Sequence, residues 1–196
     1  MGNLKSKEPR GFTMKSIRIF SIVVMLVTIV AVLSGHEITM TENFDPLFSI
    51  WLPNDWKVTL NPDNFDAVSP DGLIYCVVWD IEDVETCQEA EKIIREQVAE
   101  VLEDIEYYPD TDLELDEMEA TIVEGAATEN GKEVVFVITM FRHAVDRVGV
   151  VAFVSDPKAS RLYKGTIIDI LSTVTPDAEF KAAKAKEAKE KEEDSQ

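Results

Sequence analysis

Thiols, imidazoles and clustered carboxylates are the side chains from which a catalytic or metal centre is built. This chain of 196 residues holds two cysteines and two histidines. Cys76 and Cys87 form an even count, so an oxidising compartment would permit one disulfide between them. A bridge requires Cα atoms within about 7 Å, and the spacing leaves open whether they are joined or are two small buried hydrophobes. The spacing is not Cys-x-x-Cys, so redox catalysis is not expected. His36 sits beside an apolar leader. His143 falls in the Arg-His-Ala-Val-Asp stretch between two strand-like runs, where an exposed loop position is expected. Two distant histidines and two cysteines do not compose a zinc set. Gly-x-Ser-x-Gly, His-Glu-x-x-His and the Walker loop are all missing from the sequence, and with them the common routes to catalysis. The expectation is a protein that is not an enzyme and needs no cofactor; the alternative is an enzyme with an unfamiliar site, which would require a deep pocket lined by polar groups.

Carboxylates are the one abundant reactive class. Residues 81–129 hold 18 acids against two bases, Lys92 and Arg95. Within them Asp110, Asp112, Glu114 and Asp116 recur with period two, which puts all four on one face of an extended segment. Calcium takes such oxygen ligands, so weak calcium binding is one reading. The spacing and glycine of an EF-hand loop are missing. A solvated face and a site for a basic partner protein are the other two readings.

Aromatic residues supply the third candidate. "FSIWLPNDWKV", Phe48 to Val58, holds two of the three tryptophans. Phe48, Ile50 and Leu52 alternate with Ser49 and Trp51, as on a half-buried strand. Pro53-Asn54-Asp55 carries turn chemistry. Trp56, Val58 and Leu60 alternate again, which predicts a hairpin with Trp56 in the core and Trp51 facing the other way. If nothing covers that side, Trp51, Leu52 and Pro53 form the best partner-binding patch.

These residues need a scaffold, and its elements are legible. Leu73–Asp80 reads as a strand apolar on both faces. Thr86 with Glu89 makes a capping box, and Ala90, Ile93, Ile94, Val98, Val101, Leu102 and Ile105 follow helical spacing behind it. Asn130-Gly131 between two β-rich runs signals a hairpin. Val134–Phe141 and Val148–Val154 are nearly all apolar, so both faces of that ribbon need cover. Asp156 as N-cap and Pro157 at the first helical position open a second helix with Leu162, Tyr163, Ile167, Ile170, Leu171 and Val174 as its core stripe. One helix cannot cover two faces. The fold class is therefore α+β, a three-layer α/β/α sandwich around a central, mostly antiparallel sheet.

"FSIWLPNDW", "SPDG" before an apolar strand, and "VAFVSDPKASRLYKGTIIDILSTV" resemble the PsbP-like and DcrB-like sandwich family. Phe48, Ile50, Pro53 and Trp56 match the family's early pattern, with Asp55 in place of a common glycine. The resemblance covers residues 43–176. It implies the same α/β/α sandwich and an accessory or binding role, and it carries no catalytic residue over.

Charge and hydropathy address location. Residues 1–35 carry Lys5, Lys7, Arg10, Lys15 and Arg18 against Glu8 alone, which leaves 14 bases and 37 acids, a net of −23, on the rest. Lys15 and Arg18 precede an uncharged run from Ile19 to Gly35. A basic segment before an apolar run reads as a secretory signal, with cleavage after Ser34, or as a retained anchor. Its 17 residues at about 1.5 Å each fall slightly short of a hydrocarbon core of about 30 Å. Charge asymmetry would place an uncleaved N-terminus in the cytoplasm and the domain outside. The acidic surface disfavours nucleic acid. The expected partners are an unidentified envelope protein and, through the N-terminal segment, the membrane. Residues 177–196, with Phe180 as their one large apolar residue, read as a charged, flexible tail.

Overall fold

A computed structural model describes residues 28–32, 35–42, 45–178, 180–183 and 186. Among the described residues, twelve strands form two antiparallel sheets, and two 15-residue helices pack on them. The small sheet has the order β1 (Thr28–Val32), β2 (Gly35–Glu42), β3 (Asp45–Pro53), β12 (Thr175–Pro176). The large sheet runs β4 (Lys57–Leu60), β5 (Asn64–Val68), β6 (Ile74–Glu82), β11 (Arg147–Ser155), β10 (Lys132–Ala144), β9 (Met118–Glu129), β7 (Glu103–Tyr107). A further strand, β8 (Thr111–Leu115), pairs with the other half of β9.

The central ribbon is dry on both sides, as its composition demands. Val134, Phe136, Ile138, Met140, Val148 and Val150 face helix α1 (Cys87–Val101), whose Ala90, Ile94 and Val98 cover them. Phe141, Val151 and Phe153 face the opposite way, with Phe65, Cys76 and Val78 beside them. There the cover is mixed. Helix α2 (Pro157–Leu171) brings Ala159, Ile167, Ile170 and Leu171, and the small sheet brings Ile38, Met40, Phe48, Ile50 and Leu52. The three layers hold, with a sheet sharing the second helical layer.

Local signals account for the element ends. The Thr86 hydroxyl accepts the Glu89 N–H at 3.2 Å, while the Glu89 carboxylate reaches back to the Glu85 N–H at 3.0 Å. The Asp156 carboxylate accepts the N–H groups of Lys158 and Ala159 at 2.7 and 3.0 Å. Asn130 and Gly131 both take positive φ, 51° and 76°, the geometry a two-residue type I′ hairpin requires.

Several expectations are corrected. Phe48–Leu60 is not a hairpin: β3 pairs with β2 and β4 pairs with β5, so Pro53-Asn54-Asp55 is a corner between sheets. Period-two patterning identifies strands but not their partners. Helix α1 ends at Val101, which is exposed, and Ile105 belongs to β7. Leu162 is 75% exposed rather than core. The fold starts before residue 43, since Ile38 and Met40 on β2 are fully buried. It also extends past 176: Phe180 packs on the core, and Lys181 lies 2.9 Å from Asp116.

Of the apolar leader, Ile19–Val27, Leu33 and Ser34 lie outside the described residues. Thr28–Val32 pairs with β2 in the register Thr28↔Thr39 to Val32↔Gly35. Among the described residues, no helix is long and apolar enough to cross a membrane.

Candidate functional site

The two cysteines are free and buried on opposite sides of the large sheet, Cys76 on β6 in the core that α2 covers and Cys87 in the first turn of α1. The suggested disulfide is therefore not formed; a sheet separates the thiols. The Cys87 thiol donates to the Glu119 carbonyl at 3.5 Å, and burial pushes its pKa up to about 11. Burial raises Cys76 further. Neither thiol is poised as a nucleophile.

The period-two carboxylates do not converge. Asp110 takes a two-oxygen contact with Arg95, both at 2.9 Å. Arg95 also pairs with Glu91 and lies 4.0 Å over the Tyr107 ring. Asp112 accepts the Thr121 hydroxyl at 2.9 Å, Asp116 faces Lys181, and Glu114 is exposed on β8. Among the described residues, no group of three or more His, Cys, Asp and Glu side chains is placed to hold a metal ion. β8 extends only to Leu115, so Asp110 and Asp116 sit on the turns at either end and point to different neighbours.

The polar cluster that does form was not anticipated. His143 lies on β10 and is 2% exposed, not in an open loop. Its Nε2 is 2.6 Å from Asp80 Oδ1, and Arg147 donates to Asp80 Oδ2 at 2.6 Å and reaches Glu82 at 3.2 Å. The rings of Phe48 and Phe141 lie 5.2 and 6.3 Å from the imidazole. One carboxylate thus joins β6, β10 and β11 from inside. The signal was strand parity: Asp80 shares its face with Ile74, Cys76 and Val78, and Arg147 shares its face with Val151 and Phe153. The Asp80 and His143 side chains are each 2% exposed, so solvent-borne substrate does not reach them. The cluster cross-links strands and offers no reaction surface.

The aromatic candidate divides. Trp56 is buried and meets Tyr163 edge-on at 6.5 Å. Tyr163 also donates to Asp71 at 2.7 Å; the Ser69 hydroxyl, donating at 2.7 Å, and then the Tyr163 bond hold the Asp71 carboxyl below its usual range. Leu52, proposed for the patch, is 1% exposed and belongs to the core. Trp51 and Pro53 are half-buried on the outer side of β3. The Trp51 N–H donates to Thr173 Oγ1 at 2.9 Å, and Thr173 Oγ1 in turn donates to the Ile170 carbonyl at 2.6 Å. Opposite Trp51 across the small sheet stands Glu37. His36 pairs in register with Leu52; its side chain lies outside the described residues.

A depression of about 540 Å³ at the start of α2 is lined by Glu133, Asp156, Pro157, Lys158 and Arg161. The helix N–H groups there are already satisfied by Asp156, which removes the usual basis for anion binding.

The backbone architecture recurs in solved structures. The solution structure of cyanobacterial PsbP from Synechocystis is similar to this chain with a TM-score of 0.56 and 9% identity, covering 76% of this chain and 95% of that one. The chain has the PsbP-like fold. The same fold relates it to LpqN, involved in cell envelope biogenesis of Mycobacterium tuberculosis, with a TM-score of 0.50, 11% identity, and 78% and 92% coverage. The Saccharomyces cerevisiae Ran-binding protein Mog1p matches with a TM-score of 0.50, 12% identity, and 80% and 98% coverage. No family model matches the sequence, and no curated protein does. At such identities the PsbP-like likeness is one of backbone architecture.

Proposed function

We propose that this protein is a non-enzymatic, extracytoplasmic accessory domain that binds another protein through the Trp51–Pro53 end of its small sheet. The observation that carries this reading is the Trp51 side chain, half-buried on the outer side of β3, on a main chain pinned by its N–H bond to Thr173 Oγ1. A main chain pinned in this way is ordered before binding, and a large aromatic side chain on it suits an interface anchor. The PsbP-like fold supports an accessory role. The basic, then apolar leader supports export, and of the described elements cleavage after Ser34 would remove the edge strand β1 alone, leaving β2, β3 and β12 paired.

Two measurements on the full chain in its host membranes test this. Replacing Trp51 with a photo-crosslinking amino acid should capture one defined protein in the envelope fraction, and the same probe at exposed Lys57 should not. Equal labelling from both positions, or recovery of the protein in the cytosol alone, would sink the proposal.

A further inference from the structure

Asn130-Gly131 and Asp71-Gly72 are the places in this chain where an asparagine or aspartate precedes a glycine. Such a pair can close a succinimide ring, because no Cβ stands beside the glycine nitrogen to hinder its attack on the side-chain carbonyl carbon. The structure treats the two pairs differently. Asp71 Oδ1 accepts the Ser69 hydroxyl at 2.7 Å and the Leu73 N–H at 3.1 Å, and Oδ2 accepts the Tyr163 hydroxyl at 2.7 Å. The nitrogen that would attack Asp71, on Gly72, donates to the Ser69 carbonyl at 2.9 Å. An ionised carboxylate so held is also a poor electrophile, since its oxygen leaves only as water. Asn130 is always neutral, and its leaving group is ammonia. It stands exposed with Gly131 at the tip of the β9–β10 hairpin, where Glu129 and Lys132 close the ladder. Among the described residues no hydrogen bond engages the Asn130 carboxamide or the Gly131 N–H. A Cβ built on Gly131 meets nothing within 4 Å, so the nitrogen is open to approach. Asn54, Asn61 and Asn64 precede Asp55, Pro62 and Phe65. Proline has no N–H to lose, and the other two carry a side chain beside the nitrogen.

The structure assigns Asn130 as a self-modification site, where the chain turns its own asparagine into an isoaspartyl or aspartyl residue with water as co-reactant. The Gly131 nitrogen gives up its proton and bonds to Asn130 Cγ. The Cγ–Nδ2 bond breaks, and ammonia leaves with that proton. Water then opens the ring, at the Cγ carbonyl to leave aspartate or at the main-chain carbonyl to leave isoaspartate. Nothing is oxidised or reduced. Either product adds a negative charge between Glu129 and Glu133. Isoaspartate also inserts a methylene into the main chain. A two-residue turn with both φ values positive, 51° and 76° here, matches the twist of its strands. An extra backbone atom breaks that match, so the isoaspartyl link frays the Glu129↔Lys132 end of the ribbon.

Holding the full, folded chain in mildly alkaline buffer and mapping its peptides by mass spectrometry tests the assignment. Asn130 should lose its amide at least about tenfold faster than Asn54, Asn61 or Asn64, giving isoaspartate as well as aspartate. Asp71 should give no isoaspartate in the folded chain and begin to do so in urea, where the bonds that hold it are gone. Amide exchange at Lys132 and Glu133 should be faster in the isoaspartyl chain than in Asn130→Asp, which carries the charge without the methylene and still suits the turn. The proposal is overturned if Asn130 keeps its amide as long as the other three asparagines. It is also overturned if Asn130 yields aspartate alone, which would mean direct hydrolysis without a ring. Equal exchange in the two chains overturns the fraying.

Discussion

Asp80 shows how one side chain can hold three strands. Removing it leaves His143 and Arg147 without the carboxylate that they share in a buried place, which costs about 3–5 kcal/mol when a buried ion pair is broken. Asp80→Ala should therefore lower the melting temperature by roughly 10 °C, at about 2–4 °C per kcal/mol for a domain of this size; a loss under about 3 °C in calorimetry would contradict the buried cluster. The thiols behave in the opposite manner, through isolation. With the Cys87 pKa raised to about 11 from 9.0, its thiolate fraction near neutral pH falls about 100-fold. Native protein should stay unalkylated, and unfolded protein should take two labels without prior reduction. Two carboxyls contribute on the acid side: Asp71 and Asp156 are both held below the usual 3.8, the first by hydrogen bonds from Ser69 and Tyr163 and the second by the Ala159 and Lys158 N–H groups. A depressed folded pKa contributes stability that is present above the unfolded value and lost as pH falls through the folded one. Melting temperatures should thus drop on going below pH 3.8, and Asp156→Ala should show a shallower drop than the parent chain.

At the scale of elements, glycines report where packing is decided. A Cβ at Gly125 would stand 2.4 Å from Phe136 Cζ and 2.6 Å from the Glu106 carbonyl, so β7 and β9 can approach only because it is missing. Gly125→Ala should destabilise by about 1–3 kcal/mol, as overpacking does, whereas Gly165→Ala should stabilise the chain by up to about 1 kcal/mol through helix propensity. Urea unfolding separates the two signs. Caps and turns were readable from neighbours in sequence: Thr86, Asp156 and Asn130-Gly131 each act over four residues or fewer. Pro53-Asn54-Asp55 was readable as a turn but not as a corner, because a turn fixes a change of direction and not the identity of the next strand's neighbour. β7 escaped notice because Ile105 continues the apolar spacing of α1, and only pairing with β9 draws Glu103–Tyr107 into a strand.

For the whole molecule, the charge distribution and the sandwich are the consequences that matter. The densest acidic stretch, residues 81–129 with 18 acids against two bases, runs through α1, β7, β8 and β9, and its carboxylates do not converge, so millimolar calcium should leave the melting temperature within about 1 °C of its calcium-free value; a larger rise would mean a site formed by movement of these carboxylates. Composition and periodicity determined the layered α+β architecture, because a ribbon apolar on both faces has no stable alternative to burial on both. They likewise determined the helix caps and the tight hairpin, which depend on contacts a few residues long. Only the tertiary structure decided that Cys76 and Cys87 lie across a sheet from each other, that Asp110 to Asp116 face apart, that Asp80 gathers His143 and Arg147, and that Leu162 is left in solvent. These depend on strand order and on which face each element presents. Both are set by the packing of residues far apart in the chain, which local sequence does not encode.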